Sequence, residues 1–217
     1  RESSPIMLTV YGCANTRSTR VVWTLEEIGA EYEYVRIDLL AGAGRQPDYL
    51  ALNVGGKVPT LVDNEFILTE SAAICTYLGD RFPDAGLVPP AGTQERASYD
   101  QWCYFALSEL EQPLWTLAKH RFALPEKRRV PAVLDTARWE FSVAAKVLAA
   151  GLGRHAFIVG ERFTVADILI GHTLAWARAY ELPLEHDKLQ AYAARLWARP
   201  ALAEAKRRER AESGPDA

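Results

Sequence analysis

The sequence predicts an α/β domain built on a mixed four-stranded sheet, followed by an all-α domain. Three observations carry that prediction. Over the first eighty residues hydrophobic spacing switches between periods of two and 3.6, a Pro/Gly-rich stretch follows, and only helical periodicity lies beyond it.

Residues 7–11 form an apolar run of strand length, residues 12–18 a polar turn, and Val21, Leu25 and Ile28 recur at helical spacing. Gly29 stops that helix, and residues 32–37 alternate with period two as a second strand, which completes a βαβ unit. Residues 59–62 and 66–68, separated by Asp63, Asn64 and Glu65, read as an antiparallel hairpin. Ser71, Ile74, Cys75, Leu78 and Phe82 then mark one more helix, with Ser71 as its cap or in its first turn.

Residues 80–93 carry three prolines and two glycines, a linker composition, and set the boundary between a domain over residues 7–84 and one over 92–210. In the second domain helical periodicity runs over residues 94–119, 131–150, 165–180 and 189–198. Pro113 is expected to end or kink the first of these near residues 110–112. Thr164 and Asp167 fit a capping box, a structural role. Residues 1–6 precede Met7, the only methionine, and read as a leader or expression remnant. Residues 203–217 read as a frayed end, with 211–217 as a tail.

A chain of 217 residues can bury roughly 70% of its unfolded surface and needs no metal or disulfide to hold a core. With 49% hydrophobic and 24% charged residues it is globular in composition, and a net charge of −3 argues against nucleic acid as a partner. Cys13, Cys75 and Cys103 show no CxxC spacing, so they read as cytosolic thiols, and a cytoplasmic protein without disulfides or a zinc site is expected. The charge-free run over residues 168–177 is about half of a membrane span, so no membrane partner is expected.

A β-α-β unit followed by β-β-α, with proline opening the third strand, is the thioredoxin-like layout. Four segments then carry a wider resemblance: Tyr11 through Arg20-Val21 to Glu27-Ile28-Gly29, Asn53 to Leu61, Glu70-Ser71-Ala72-Ala73-Ile74, and Gly160 to Asp167. Together and in order they resemble a cytosolic glutathione transferase of the bacterial type with a serine- or threonine-like N-terminal site. One departure is Asn53-Val54, where the family usually has asparagine-proline.

The resemblance implies a glutathione transferase that joins the thiolate of glutathione, a co-substrate, to small apolar electrophiles in detoxification. It implies no metal, and it implies a homodimer in which Asp100 contacts the partner's tripeptide. Glutathione carries two carboxylates, an ammonium and a thiol, so the site must hold an extended peptide and lower the thiol pKa. In the family the residue before a cis-proline pairs with the cysteinyl backbone, which implies Val58 ahead of Pro59. Glu70 and Ser71 stand where the family holds the γ-glutamyl end, at a helix N-terminus, and Lys57 can pair with a carboxylate.

The thiolate belongs at the N-terminus of the first helix, where dipole and hydroxyl both favour negative charge. Thr16 is the first choice for the catalytic donor, then Ser18, with Asn15 as a non-ionising donor and Arg17 and backbone N–H groups sharing the work. Tyr11 resembles the strand-end tyrosine of tyrosine-type members, but its place so far ahead of the helix suits a packed aromatic. An electrophile pocket between the domains is expected from Tyr11, Trp102, Phe105, Trp115 and His120, with Leu114 and Arg121 nearby, although aromatics at this spacing also read as core. Two other readings remain: a thiol-disulfide oxidoreductase using Cys13, and a non-catalytic ligand-binding module. Cys75 and Cys103, on apolar helical stretches, read as inert.

Overall fold

The computed structural model describes residues 7–211. Residues 1–6 and 212–217, read above as a leader and as most of a tail, lie outside the described residues. The chain divides into two compact units, one running to Leu87 and resuming at Ala198, the other spanning Val88–Trp197.

The first unit carries the sheet, with strands β1 (Leu8–Gly12), β2 (Glu33–Arg36), β3 (Thr60–Asp63) and β4 (Phe66–Thr69). Their order is β2-β1-β3-β4: β1 pairs parallel with β2 and antiparallel with β3, and β3 pairs antiparallel with β4. The predicted mixed four-stranded sheet is therefore present. Along β1 the side chains alternate in burial, Leu8 and Val10 pointing into the core, as period two requires.

Helix α1 (Ser18–Ile28) buries Val21, Val22, Trp23 and Leu25. A short helix α2 (Pro47–Leu52) follows β2 and is absent from the sequence reading, because six residues are too few to display a helical period. Pro47 opens it and Tyr49 anchors it in the core. Helix α3 (Ser71–Arg81) buries Ile74, Cys75 and Leu78 on the face its spacing predicts.

The second unit is helical: α4 (Gln94–Phe105), α5 (Gln112–Ala118), α6 (Val133–Leu152), α7 (Val165–Ala179) and α8 (Asp187–Trp197). The end or kink expected near residues 110–112 takes the form of a departure from α geometry just before Pro113, and the chain stays helical through it. A π-helical stretch over Ala106–Glu111 precedes it, and Pro113 then occupies the first turn of α5, where its missing N–H is tolerated. The capping box of α7 is present: the Thr164 backbone N–H donates to Asp167 Oδ2 at 2.9 Å. Asp167 Oδ1 also accepts from the Ile158 N–H at 2.9 Å and from the Tyr192 hydroxyl at 2.6 Å, so one buried carboxyl ties the loop before α7 to α8.

The end of the chain departs most from expectation. Residues read as frayed form helix α9 (Pro200–Ala211), and this helix belongs to the sheet-bearing unit rather than to a helical domain running to 210. Half of its residues are charged, but Leu202, Ala205 and Glu209 fall on one face and are buried against α1. Arg199 reaches Glu27 through two hydrogen bonds of 2.5 and 2.8 Å, and Arg208 pairs with Glu26 at 2.9 Å. The frayed-end reading of residues 203–211 failed because a buried face of two apolar residues and one carboxyl is invisible among so many charges.

Candidate active site

The loop from Gly12 to Arg17 leaves β1 and enters α1, and hydrogen bonds within it define its shape. The Cys13 N–H donates to Ser18 Oγ at 3.1 Å, and the Ser18 N–H donates to Thr16 Oγ1 at 3.1 Å. The Thr16 hydroxyl lies 2.6 Å from the Cys13 carbonyl and 2.9 Å from Ser18 Oγ. Having one proton, it can donate to only one acceptor at a time. Gly12 is required here: a Cβ on it would meet Ser18 Cβ at 2.8 Å and the Tyr34 hydroxyl at 2.9 Å.

Burial separates the three hydroxyl or amide candidates. Ser18 is fully buried, so its expected contact with a ligand is withdrawn and its hydroxyl supports the loop instead. Thr16 and Arg17 keep part of their surface exposed, and Asn15, exposed, occupies the left-handed region at φ 60°. Tyr11 is half-buried in β1, its ring 6.0 Å from that of Tyr49, in keeping with a packed aromatic.

The register of β1 against β3 opposes Tyr11 to Thr60, which sets the 12–17 loop beside the entry to β3. The Val58–Pro59 peptide bond there is cis. The approach to it is held by residues that the sequence reading gave no role. The Tyr49 hydroxyl and Asn53 Nδ2 donate to the Lys57 carbonyl at 2.5 and 2.8 Å, and Asn53 Oδ1 accepts from the Gly55 N–H at 3.0 Å. The lone Asn53 amide a few residues before the proline was the available signal. The Lys57 side chain itself is exposed, and Val58 is half-buried.

At the start of α3, Glu70 and not Ser71 holds the cap position, and no side chain caps the helix. Glu70 sits at φ 71°, ψ 111°, an unfavourable conformation for a residue with a Cβ, costing about 1–3 kcal/mol, and its side chain is exposed. Ser71, buried, accepts a hydrogen bond from Arg20 Nη1 at 3.2 Å. Arg20, a landmark in the sequence comparison only, thus emerges as the support of Ser71.

Cys13 is half-buried, and burial pushes its thiol above the ordinary range despite a backbone hydrogen bond from Leu39 and the charge of Arg36. A nucleophilic cysteine needs the opposite shift. Cys75, fully buried, is pushed up to about 12.

The expected pocket residues of the second unit divide. Trp102 is buried edge-on to Phe105, 5.2 Å between ring centroids, and packs on Gly151, so it is core and not pocket lining. Leu114 is core as well. Phe105 and Trp115 stay half-exposed. His120 Nδ1 accepts the Val130 N–H at 2.9 Å, which makes it a brace for the 120–130 loop, and Arg121 lies over the Tyr180 ring at 5.3 Å.

Two family models match, the glutathione S-transferase N-terminal domain over residues 7–80 and the glutathione S-transferase C-terminal domain over residues 110–200. Glutathione S-transferase GstA of Escherichia coli O157:H7 is 31% identical over 185 residues, covering 84% of this chain and 89% of that protein. The chain belongs to the glutathione S-transferase family. Among solved structures, a glutathione transferase from Methylococcus capsulatus superposes on the transferase with a TM-score of 0.84 at 28% identity, covering 94% of this chain and 99% of the other. BphK, a bacterial transferase seen in a ternary complex, gives 0.83 at 30% identity, covering 93% and 98%. The transferase is thus an enzyme of glutathione conjugation, and neither the Cys13 oxidoreductase reading nor the non-catalytic reading is favoured.

Proposed function

We propose that this transferase binds glutathione across the entry to β3 and the N-termini of α1 and α3, and activates its thiol through Thr16. The observation that carries this reading is the convergence of three features in the first unit: the half-exposed Thr16 hydroxyl, the cis Val58–Pro59 bond, and the Arg20–Ser71 contact. The N-termini of α1 and α3 both carry partial positive charge, and a buried guanidinium stands between their first turns, so anionic groups are stabilised there.

In this reading the backbone of Val58 pairs with the cysteinyl residue, Glu70 takes the γ-glutamyl ammonium, and the Ser71 N–H takes its carboxylate. Lys57 pairs with the glycyl carboxylate, and Arg17 lies at the mouth. The thiol proton leaves to solvent. The Ser18 backbone N–H donates to Thr16 Oγ1, which turns its own proton from the Cys13 carbonyl to the sulfur, with Asn15 as a further donor. The thiolate then attacks an electrophilic carbon, a C–S bond forms as the leaving group departs with its electron pair, and a thioether results.

Small apolar electrophiles suit the half-exposed rings of Phe105 and Trp115, and detoxification in the cytoplasm is the corresponding role. A homodimer is also proposed. Exposed Phe66 and Ile67 on the edge strand β4 support it, and Asp100, paired with Arg96 on α4, would face the partner's tripeptide. Light scattering at increasing concentration tests this, since a mass that stays near 24.2 kDa refutes it.

The test of the site is a pH titration of thiolate absorbance for bound glutathione. Ionisation below about pH 7 in the wild type that retreats toward 8.5 in Thr16→Ala supports the reading. An unshifted thiol in the wild type rejects it.

A further inference from the structure

We infer that Glu209, near the end of α9, is a positioning residue of the glutathione site: it fixes the first turn of α1 and sets how readily the 12–18 loop accepts negative charge. This rests on the reading of Thr16 as the thiolate's donor.

The geometry is a buried contact between distant parts of the chain. The Thr19 hydroxyl donates to Glu209 Oε2 at 2.8 Å, and both residues are buried. Thr19 lies three residues beyond Thr16, and its backbone N–H donates to the Thr16 carbonyl at 3.2 Å. The carboxyl of α9 therefore grips the same turn that presents the proposed donor, about one helical pitch away.

Helix α9 packs on α1 and on β2, and the polar groups facing the carboxyl from these elements are few. Thr19 comes from α1, Tyr34 from β2 with Tyr32 just before it, Cys13 from the loop, and Lys206 from α9 itself. The Tyr34 hydroxyl is buried and makes no hydrogen bond among the described residues. Burial pushes Glu209 up to about 7, against the pull of Thr19, Lys206 and Tyr34. Burial is the main cause of the raised Cys13 thiol, and the charge of Glu209 adds a small further push in the same direction, so its field reaches the loop that would hold a thiolate.

A purely structural carboxyl would do equally well as an amide. Glu209 differs because it titrates. Protonated, it leaves the positive N-terminus of α1 unopposed; ionised, it adds a negative charge behind the first turn and works against a second anion in front. The two ionisations oppose each other, and Glu209 is the group that sets the thiolate's titration near neutral pH.

The test compares the wild type with Glu209→Gln, which keeps the size and an acceptor for Thr19 but cannot ionise. Two titrations are read: the pH dependence of Cys13 alkylation by iodoacetamide without glutathione, with Cys13→Ala as the blank, and thiolate absorbance of bound glutathione. Both should move down in Glu209→Gln, by roughly half to one pH unit, while rates at pH 5.5, where Glu209 is protonated, stay within about twofold. Thr19→Val gives a second route: without its donor the carboxyl stays protonated to higher pH, so the glutathione thiolate titration moves the same way, while the Cys13 titration, which lies above the Glu209 range, stays as in the wild type. Identical Cys13 titrations in the wild type and Glu209→Gln overturn the inference. So does a Cys13 shift with an unmoved glutathione thiol, if that thiol ionises low in the wild type. If it does not, the Thr16 reading has failed, and the Cys13 titration alone decides the role of Glu209.

Discussion

Arg20 Nη1 donates to Ser71 Oγ at 3.2 Å, with both residues buried, and so links the first turn of α1 to the first residue of α3. The N-terminus of each helix carries partial positive charge, and bringing the two together beside Arg20 favours an anion at this end of the sheet. That is an electrostatic reason for a binding site at this end of the sheet.

Ser71→Ala should therefore weaken glutathione binding by roughly tenfold, since it loosens Arg20 and shifts the helix end proposed to hold the γ-glutamyl carboxylate. Calorimetric titration of glutathione measures this, and a dissociation constant within twofold of the wild type would contradict it.

Thr16 and Ser18 should separate cleanly. Thr16→Ala should lower kcat/KM by about 10- to 1000-fold with little change in Tm, the size of effect seen when one anion-stabilising donor is lost. Ser18→Ala should mainly lower stability, by about 1–2 kcal/mol, because the partly buried Cys13 N–H loses its acceptor. Cys13→Ala should conjugate normally, consistent with a thiol held in its protonated form by burial. Steady-state rates paired with thermal melts on the three variants check all of this.

The stability of the first unit should carry a Glu209 signature. Its carboxyl rises from 4.5 to about 7 on folding. Below pH 4.5 both states hold the proton and nothing is lost; between 4.5 and 7 only the folded state holds it, so stability falls as pH rises and levels off above 7. The fall is about 3 kcal/mol in all. Glu209→Gln should flatten that part of the profile in denaturant melts run across this pH range, and an unchanged slope would assign it to other groups.

Gly151 has a steric role in the helical unit. A Cβ on it would lie 2.1 Å from Trp102 Cη2, and the ring is buried. Gly151→Ala gains up to about 1 kcal/mol in helix propensity, yet it should destabilise by about 1–3 kcal/mol in total because the ring must shift. Adding Trp102→Phe should recover part of the loss, a coupling that a thermal double-mutant cycle measures.

Much of the fold was legible because it rests on periodicity. Leu8 and Val10 alternate in β1, and Ile74, Cys75 and Leu78 form the buried stripe of α3, as the spacing predicts. The capping box at Thr164 and Asp167 was legible because both partners lie within four residues. Helix α2 was too short to show a period, and α9 hid a three-residue stripe under its charges. Of the proposed site, Thr16, Pro59 and Ser71 were the residues that motif order singles out. The fates of Ser18, Trp102 and His120 could not, since burial and hydrogen bonding are set by what packs on a residue and not by its neighbours in the chain.

The sequence by itself determined the two-part architecture, the four strands and the family, because those depend on local pattern and on motifs in series. Tertiary structure alone decided which hydroxyl of the first loop stays accessible, that Arg20 supports Ser71, and that Glu209 returns 190 positions along the chain to hold Thr19. Such contacts follow from packing between surfaces distant in sequence, and no local spacing encodes them.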